Sequence, residues 1–197
     1  MLGWRVLLDK LPTKTNLLVR GVQLQHSLCE LCRAHEENAK HLFFSCKVSQ
    51  MVWNMCDRWL GVSTVHHVKA KSNFQHFHLY DLNSRQNLVW KGMWLAIIGE
   101  IWKHRNGIIF NHRKVDPREI FDQAQVAAWV WMKHKVPAMM FSYRDWYLSP
   151  HTCLKFLWFD NCVFSVIGKQ TWRGTVKMRC TCAKAKVTKM QDSTCHI

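Results

Sequence analysis

The feature that most constrains this chain is a set of three cysteines and one histidine with the spacing C-x2-C-x8-H-x4-C. The four residues are Cys29, Cys32, His41 and Cys46. Two residues between the first two thiols form a tight turn that points both sulfurs at one metal ion. Three thiolates and one imidazole complete a tetrahedral zinc site and leave no coordination position open. The spacing therefore predicts a structural Zn²⁺ site, at which the free energy of metal binding becomes free energy of folding.

The sequence leaves other interpretations of these residues open. A chain with nine cysteines contains some C-x2-C pairs by chance, so the thiols can also be unligated. A thioredoxin-like redox pair requires a helix start after a strand, and no strongly hydrophobic strand precedes Cys29. His35 is an alternative third ligand. We prefer His41 because His35 would leave a loop of only two residues after Cys32.

Several short motifs surround the four residues in a fixed order. Residues 4–22 read W-R-V-L-L-D-K-L-P-T-K-T-N-L-L-V-R-G-V, and C-E-L-C, E-E-N-A-K-H-L-F-F-S-C, V-W-N and W-L-G follow at 29–32, 36–46, 52–54 and 59–61. This order resembles the zinc-binding domain of plant LINE-type (non-LTR) retrotransposon reverse transcriptases, and a weaker likeness covers 94–111. The resemblance implies that the family's ligands fall on the same three cysteines and histidine. Because the chain begins inside the pattern, we expect it to be the tail of a longer ancestral polyprotein.

The charge of the chain favours a polyanionic partner. Its formal net charge is +15 and its pI is about 9.7, a balance that suits nucleic acid, either RNA or DNA. Arg33, Lys40 and Lys47 flank the predicted ligands and are the candidate nucleic-acid-binding residues. The alternative is that these side chains are only solvated, as polar residues beside a zinc site often are.

The sequence favours an intracellular location, in the nucleus or the cytoplasm. Charged residues interrupt the apolar part of residues 1–18, so we expect no secretory leader. No run of about 18 uncharged apolar residues exists, so we expect no membrane span. A reducing compartment also leaves thiols free for metal.

Apolar periodicity predicts a mainly α fold. A first helix should cover residues 3–11, with Trp4, Leu7, Leu8 and Leu11 on its inner face, and a second should lie between Thr13 and Gly21. A third should run over 47–60, with a stripe formed by Val48, Met51, Val52, Met55 and Trp59. Cys56 is predicted to be a buried small hydrophobic residue, and Lys10, Lys14 and Arg20 to form a solvated rim or to contact nucleic acid.

Two further helices should form a long antiparallel hairpin. The first covers 87–110 and buries Trp90, Met93, Trp94, Ile97, Ile98, Ile101 and Trp102, with a basic rim at its end that includes His104 and Arg105. The second begins at the Asp116 cap, ends at Pro137, and buries Ile120, Ala124, Ala127, Ala128 and Trp131.

These elements predict four segments. Residues 1–61 form a small helical zinc-knuckle module of the CCHC type. Residues 62–86 are a polar, histidine-rich linker, for which a second metal site is a weaker interpretation. Residues 87–136 are the helical hairpin, and residues 137–197 are an irregular, basic, partly disordered tail, in which 153–167 can contain one or two strands.

The sequence predicts a chain without enzymatic activity. The Y-x-D-D signature of reverse transcriptases is missing, and so are G-x-x-x-x-G-K-[ST], H-E-x-x-H and G-x-S-x-G. We therefore expect a non-catalytic zinc-binding module, derived from a retrotransposon reverse transcriptase, that binds nucleic acid through basic residues around a structural zinc. The alternatives are a zinc-stabilised protein–protein interaction domain and a decayed retroelement fragment without function.

Overall fold

The structure, a computed structural model, describes residues 2–136, 139–155, 157, 162–163 and 181–182. The chain divides into two compact units, Met1–Leu157 and Trp158–Ile197. In the second unit, strand β1 (Cys162–Val163) pairs antiparallel with strand β2 (Thr181–Cys182), and Cys162 lies opposite Cys182. The other predictions for the tail beyond Leu157 lie outside the described residues.

The first unit is helical, which confirms the predicted mainly α fold, and this includes Tyr143–Leu148 and Pro150–Lys155, which lie in the stretch predicted to be an irregular tail. A capping box between Ser142 and Asp145 starts the first of these two short helices. A π-helical turn at His41–Ser45 lies between the second and third helices of this unit. The described helices are α1 Leu2–Leu7, α2 Lys14–Val19, α3 Lys47–Leu60, α4 Ala70–His76, α5 Ser84–Asn111, α6 Pro117–Lys135, α7 Tyr143–Leu148 and α8 Pro150–Lys155. No helix in the described part of the chain is both long enough and apolar enough to cross a bilayer.

Helix α1 is shorter than predicted, and its inner face differs. It ends at Leu7, and Asp9 adopts a left-handed φ of 51° that cannot continue a helix. Val6 and Leu11 are buried, whereas Trp4 is 67% exposed and Leu8 is also exposed. The predicted inner face was wrong for Trp4 and Leu8, because the short helix buries the side that carries Gly3 and Val6. Leu11 is buried as predicted, but it lies beyond the helix end.

Helix α3 has the predicted bounds but a different buried face. Gly61 ends it with a left-handed φ of 70°, a conformation that glycine adopts without a Cβ clash. The buried residues are Val48, Ser49, Val52, Trp53 and Cys56, whereas Met51, predicted to be inside, is 48% exposed. The burial of Cys56 is confirmed, and it raises the pKa of that thiol well above its usual value.

Helices α5 and α6 form the predicted hairpin. Gly92, near the start of α5, lies against Trp131, near the end of α6. At the other end, the Asp116 backbone N–H donates to Nε2 of His104 (3.2 Å), so the helices are antiparallel. A capping box between Asn83 and Gln86 starts α5 three residues earlier than predicted, and Asp116 caps α6 as predicted.

The stretch predicted as a polar linker contains helix α4, which periodicity did not reveal. Asn73 of α4 is buried, and its Oδ1 accepts a hydrogen bond from Nε1 of Trp94 at 2.7 Å. The ring of Phe77 stacks on Trp90 with centroids 5.0 Å apart. Residues 62–86 therefore pack against α5 through Trp90 and Trp94. The division of the chain into four segments stays a prediction.

Candidate metal centre

The first two thiols of the cluster lie on a tight loop closed by backbone hydrogen bonds. The N–H of Cys29 donates to the carbonyl of His35 (2.7 Å), and the N–H of Arg33 donates to the carbonyl of Cys29 (2.8 Å). Arg33 adopts a left-handed φ of 55°, which reverses the chain directly after Cys32. The chain therefore reverses over Cys29–Arg33, and both thiols of the C-x2-C pair lie on this one tight turn.

The other two side chains lie at the ends of the π turn. His41 opens the turn, and its backbone N–H donates to Oδ1 of Asn38 at 2.7 Å. Cys46 closes the turn and is the N-cap of α3, and its N–H donates to the carbonyl of His41 at 2.8 Å. Helix turns of this rare kind are frequent at functional sites.

Side chains from α3 satisfy the carbonyls that the π turn leaves unpaired. Nε1 of Trp53 donates to the carbonyl of Phe43 (2.8 Å), and Oγ of Ser49 donates to the carbonyl of Leu42 (2.5 Å). The two donor residues, Trp53 and Ser49, and the two acceptor residues, Phe43 and Leu42, are all buried. The turn that joins His41 to Cys46 is therefore fixed by direct hydrogen bonds from the helix that follows it.

The four ligand atoms come together within the size of a metal site. The three sulfurs and one histidine nitrogen all lie within 4.8 Å of one another. Sγ of Cys32 and Nε2 of His41 are 3.2 Å apart. A tetrahedron with zinc–sulfur bonds of ~2.3 Å has sulfur–sulfur edges of about 3.8 Å. The separations of 3.2 Å and of up to 4.8 Å lie on either side of that value, so small shifts of the side chains would fit a zinc ion. The cluster is able to hold a metal ion, and zinc is the ion that suits its donor set.

Two of these side chains, Cys46 and His41, have pKa values shifted toward the protonation state that binds a metal ion, whereas the pKa of Cys29 is shifted away from it. A hydrogen bond from Cys29 lowers the pKa of Cys46, and the N–H groups of Val48 and Ser49 at the start of α3 lower it further. The same hydrogen bond, together with burial, raises the pKa of Cys29 far above its usual value. Burial lowers the pKa of His41 and favours the neutral imidazole, which is the ligating form.

A buried ion pair joins the metal loop to the long hairpin. Glu37 is fully buried, and its carboxylate accepts from Nε (3.1 and 3.2 Å) and from one terminal nitrogen (2.5 Å) of Arg105 on α5. The backbone N–H groups of Lys14 (3.2 Å) and Glu30 (3.4 Å) donate to the same carboxylate. The prediction that Arg105 belongs to an exposed basic rim was wrong, because this pair compensates its charge inside the protein. His104, from the same predicted rim, is also buried.

A second charged cluster braces the loop from the α2 side. Nζ of Lys14 donates to the carbonyl of Leu28 at 2.9 Å and forms a buried ion pair with Glu30. Glu30 also pairs with Arg33. Neither alternative for Lys14 holds, since it is only 6% exposed and belongs neither to a solvated rim nor to a free cationic surface. The sequence analysis did not identify Glu30 and Glu37 as residues that support the metal loop. The only available signal was that both lie within the segment that contains the ligands.

Each predicted nucleic-acid contact lies next to a ligand in the chain. Arg33 follows Cys32, Lys40 precedes His41 and Lys47 follows Cys46. All three side chains are exposed, although Arg33 also pairs with Glu30. They stay predictions. His35, the alternative ligand, is exposed and outside the cluster, with its ring centroid 5.2 Å from that of His41.

The N-terminal part of the chain matches a known protein family. The family described as "zinc-binding in reverse transcriptase" matches residues 1–53, a stretch that includes all four residues of the cluster. The matched domain is a zinc-binding domain and not a catalytic one. No curated protein and no solved structure matches the chain.

Proposed function

We propose that this chain is a non-catalytic zinc-binding module from a LINE-type reverse transcriptase of plants, and that it binds RNA or DNA around its zinc centre. The observation that supports the proposal is that an exposed cation is the direct chain neighbour of three of the four ligands, in a cluster whose π turn and loop are contacted by α3 through hydrogen bonds and by α5 through an ion pair. A rigid centre fixes where these charges stand, and phosphate contacts depend on charge position more than on base sequence.

The cluster supports a structural role for the metal. Its four side chains fill a tetrahedral site, so no position is left for a substrate or a reactive water. Buried carboxylates near the loop already have protein partners, because Glu37 pairs with Arg105 and Glu30 pairs with Lys14. The chemistry that this arrangement offers to a partner is therefore positive charge on a stable surface.

The test is the salt dependence of binding to a labelled 20-base-pair duplex, measured by fluorescence anisotropy with zinc-loaded protein. We expect log Kobs to fall linearly with log salt concentration. Changing Arg33, Lys40 and Lys47 to Gln should make that slope shallower by about 0.9 for each phosphate that the protein no longer neutralises. The matched control changes Lys69, Lys71 and Arg85, three exposed cations outside the metal loop, to Gln. Equal slopes for the two triple variants would refute the assignment of the contacts.

A second candidate function is protein binding, which the N-terminal surface favours. Exposed apolar side chains concentrate in the first 28 residues, at Trp4, Leu8, Leu18, Val19, Val22 and Leu28. Val19 is the most exposed of these, at 88%. If this surface joins two copies of the chain, Trp4→Ser and Val19→Ser should abolish self-association in sedimentation velocity. A wild-type protein that stays monomeric at high concentration would contradict that form of the function.

A further inference from the structure

A groove between α3 and α6 is not explained by the metal centre. Its volume is about 360 Å³, within the size range of small-molecule sites. One turn of α3 and two turns of α6 form its walls, and α7 contributes one further residue. The lining residues are Met55, Arg58, Trp59, Arg118, Phe121, Asp122, Gln125 and Tyr147.

One aromatic side chain of the groove, Trp59, is held in a fixed position, and a second, Tyr147, is exposed at the rim. Nε1 of Trp59 donates to the backbone carbonyl of Tyr147 at 2.8 Å, so this indole cannot rotate freely. Its ring meets Trp146 edge to face at 4.8 Å and Phe121 at 5.8 Å. The side chain of Tyr147 is 44% exposed at the rim. Aromatic rings of this kind are the usual platforms for stacked bases.

The groove also contains a buried polar group in need of a partner. Gln125 is 1% exposed, and its Oε1 has no hydrogen-bond partner among the residues that the structure describes. Its backbone carbonyl, by contrast, accepts from Nε1 of Trp146 at 3.1 Å. Buried amides are almost always hydrogen-bonded. Oε1 itself is buried, so a ligand that carries a hydrogen-bond donor would become its partner once the Gln125 side chain turns toward the groove.

Two arginines give the groove an excess of positive charge. Arg58 lies on α3 and Arg118 on α6, and neither forms an ion pair within the described part of the chain. Asp122 is the single carboxylate in the lining. A ligand with a flat aromatic part, a polar edge and a negative charge would match the aromatic walls, Gln125 and the arginines respectively.

We propose that this groove binds an unpaired nucleobase of a single-stranded nucleic acid, with its phosphate near the two arginines. Tyr147 and Trp59 provide the stacking surface, and Gln125 hydrogen-bonds the edge of the base. The inference rests on the proposed nucleic-acid function and adds a preference for unpaired strands. Helix α3 links the two sites: Cys46 caps its start, and Trp59 lies about 20 Å further along at 1.5 Å per residue.

The test compares a single-stranded oligonucleotide that carries one 2-aminopurine with the same sequence as a duplex, using the full zinc-loaded chain. We expect quenching of the unpaired fluorophore on binding and tighter binding of the single strand. Tyr147→Ala should weaken single-strand binding about fivefold or more and remove the quenching, since stacked bases lose that much affinity when their platform is truncated. The matched control is Tyr80→Ala, which removes an exposed tyrosine outside the groove.

Gln125→Met separates recognition from folding. If Gln125 stabilised the fold, its replacement would lower Tm; it should not, because an apolar side chain of similar shape replaces an amide oxygen that has no partner among the described residues. We expect an unchanged or higher Tm together with single-strand binding weakened about threefold to tenfold. Duplex affinity should not change.

The outcomes distinguish this inference from the function on which it rests. If neither oligonucleotide binds, the proposed function fails and the groove assignment fails with it. If both bind in a salt-dependent way, but Tyr147→Ala and Gln125→Met behave as Tyr80→Ala does, the function stands and the groove assignment is overturned.

Discussion

The buried pair between Glu37 and Arg105 makes the sharpest prediction about this fold. Both side chains are at most 5% exposed, so neither charge can be solvated once its partner is removed. Breaking a buried ion pair from one side typically costs 3–5 kcal/mol, ~4 kcal/mol as a working value. We expect Arg105→Met to lower the free energy of unfolding by about that amount, because Glu37 would keep only two backbone donors.

The double variant Glu37→Gln, Arg105→Met removes both charges. Its glutamine oxygen can still accept from a backbone N–H, so the remaining loss of stability should be about 1–2 kcal/mol. The double variant should therefore be more stable than Arg105→Met alone. This reversal is the signature of an uncompensated charge and would not follow from a loss of packing.

The assay is urea unfolding followed by tryptophan fluorescence at a fixed free zinc concentration, since bound metal stabilises the folded state by mass action. With an m value of about 2 kcal/mol/M, the single variant should lower the midpoint by roughly 2 M. Glu36→Gln, which alters the exposed neighbouring carboxylate, is the control and should change stability by less than about 0.5 kcal/mol. Equal urea midpoints for Arg105→Met and Glu36→Gln would show that Glu37 is not left as an uncompensated buried charge.

Two further predictions concern the metal and the hairpin. Protein purified without added metal should contain about one zinc per chain by elemental analysis, and the double variant Cys29→Ser, Cys32→Ser should lose both the zinc and the helical circular dichroism. The control Cys56→Ala should keep the zinc, because Cys56 lies outside the cluster. A wild-type protein that is folded and free of zinc would disprove this prediction. Two glycines of α5 should respond in opposite ways. Gly99→Ala should raise the free energy of unfolding by about 0.5–1 kcal/mol, because its new Cβ meets nothing within 4 Å. Gly92→Ala should lower the free energy of unfolding by about 1–3 kcal/mol, because its Cβ would lie 2.6 Å from the Trp131 ring. Thermal unfolding of the two variants side by side checks the opposite signs.

Much of the local structure could be predicted from the sequence. The spacing of Cys29, Cys32, His41 and Cys46 identified the cluster, because short spacings restrict where the ligand atoms can lie. The bounds of α3 followed from Gly61 and from apolar periodicity. The stripe from Trp90 to Ile101 on α5 is buried as predicted. Apolar residues at every third or fourth position lie on one face of a helix, and that face packs against the core.

The orientation of α3 about its own axis is a feature that apolar periodicity alone does not predict. Two neighbouring faces of this helix carry apolar residues, and the sequence favoured the face that includes Met51. The structure buries the adjacent face, with Ser49 and Trp53, because their side chains satisfy carbonyls that the π turn leaves unpaired. A hydrophobicity pattern cannot reveal that requirement, since it depends on the geometry of a preceding turn.

The sequence by itself determined which residues gather at the metal centre and where the main helices lie, since both depend on contacts between residues close in the chain. Only the tertiary structure decided the partners of the charged residues. Arg105 meets Glu37 across 68 residues, and Lys14 leaves the surface to pair with Glu30. The groove that contains Gln125 likewise exists only because α3, α6 and α7 meet. Such pairings depend on how separate helices and loops pack against each other. The types of the side chains alone do not reveal which residues, distant in the chain, will lie close together in space.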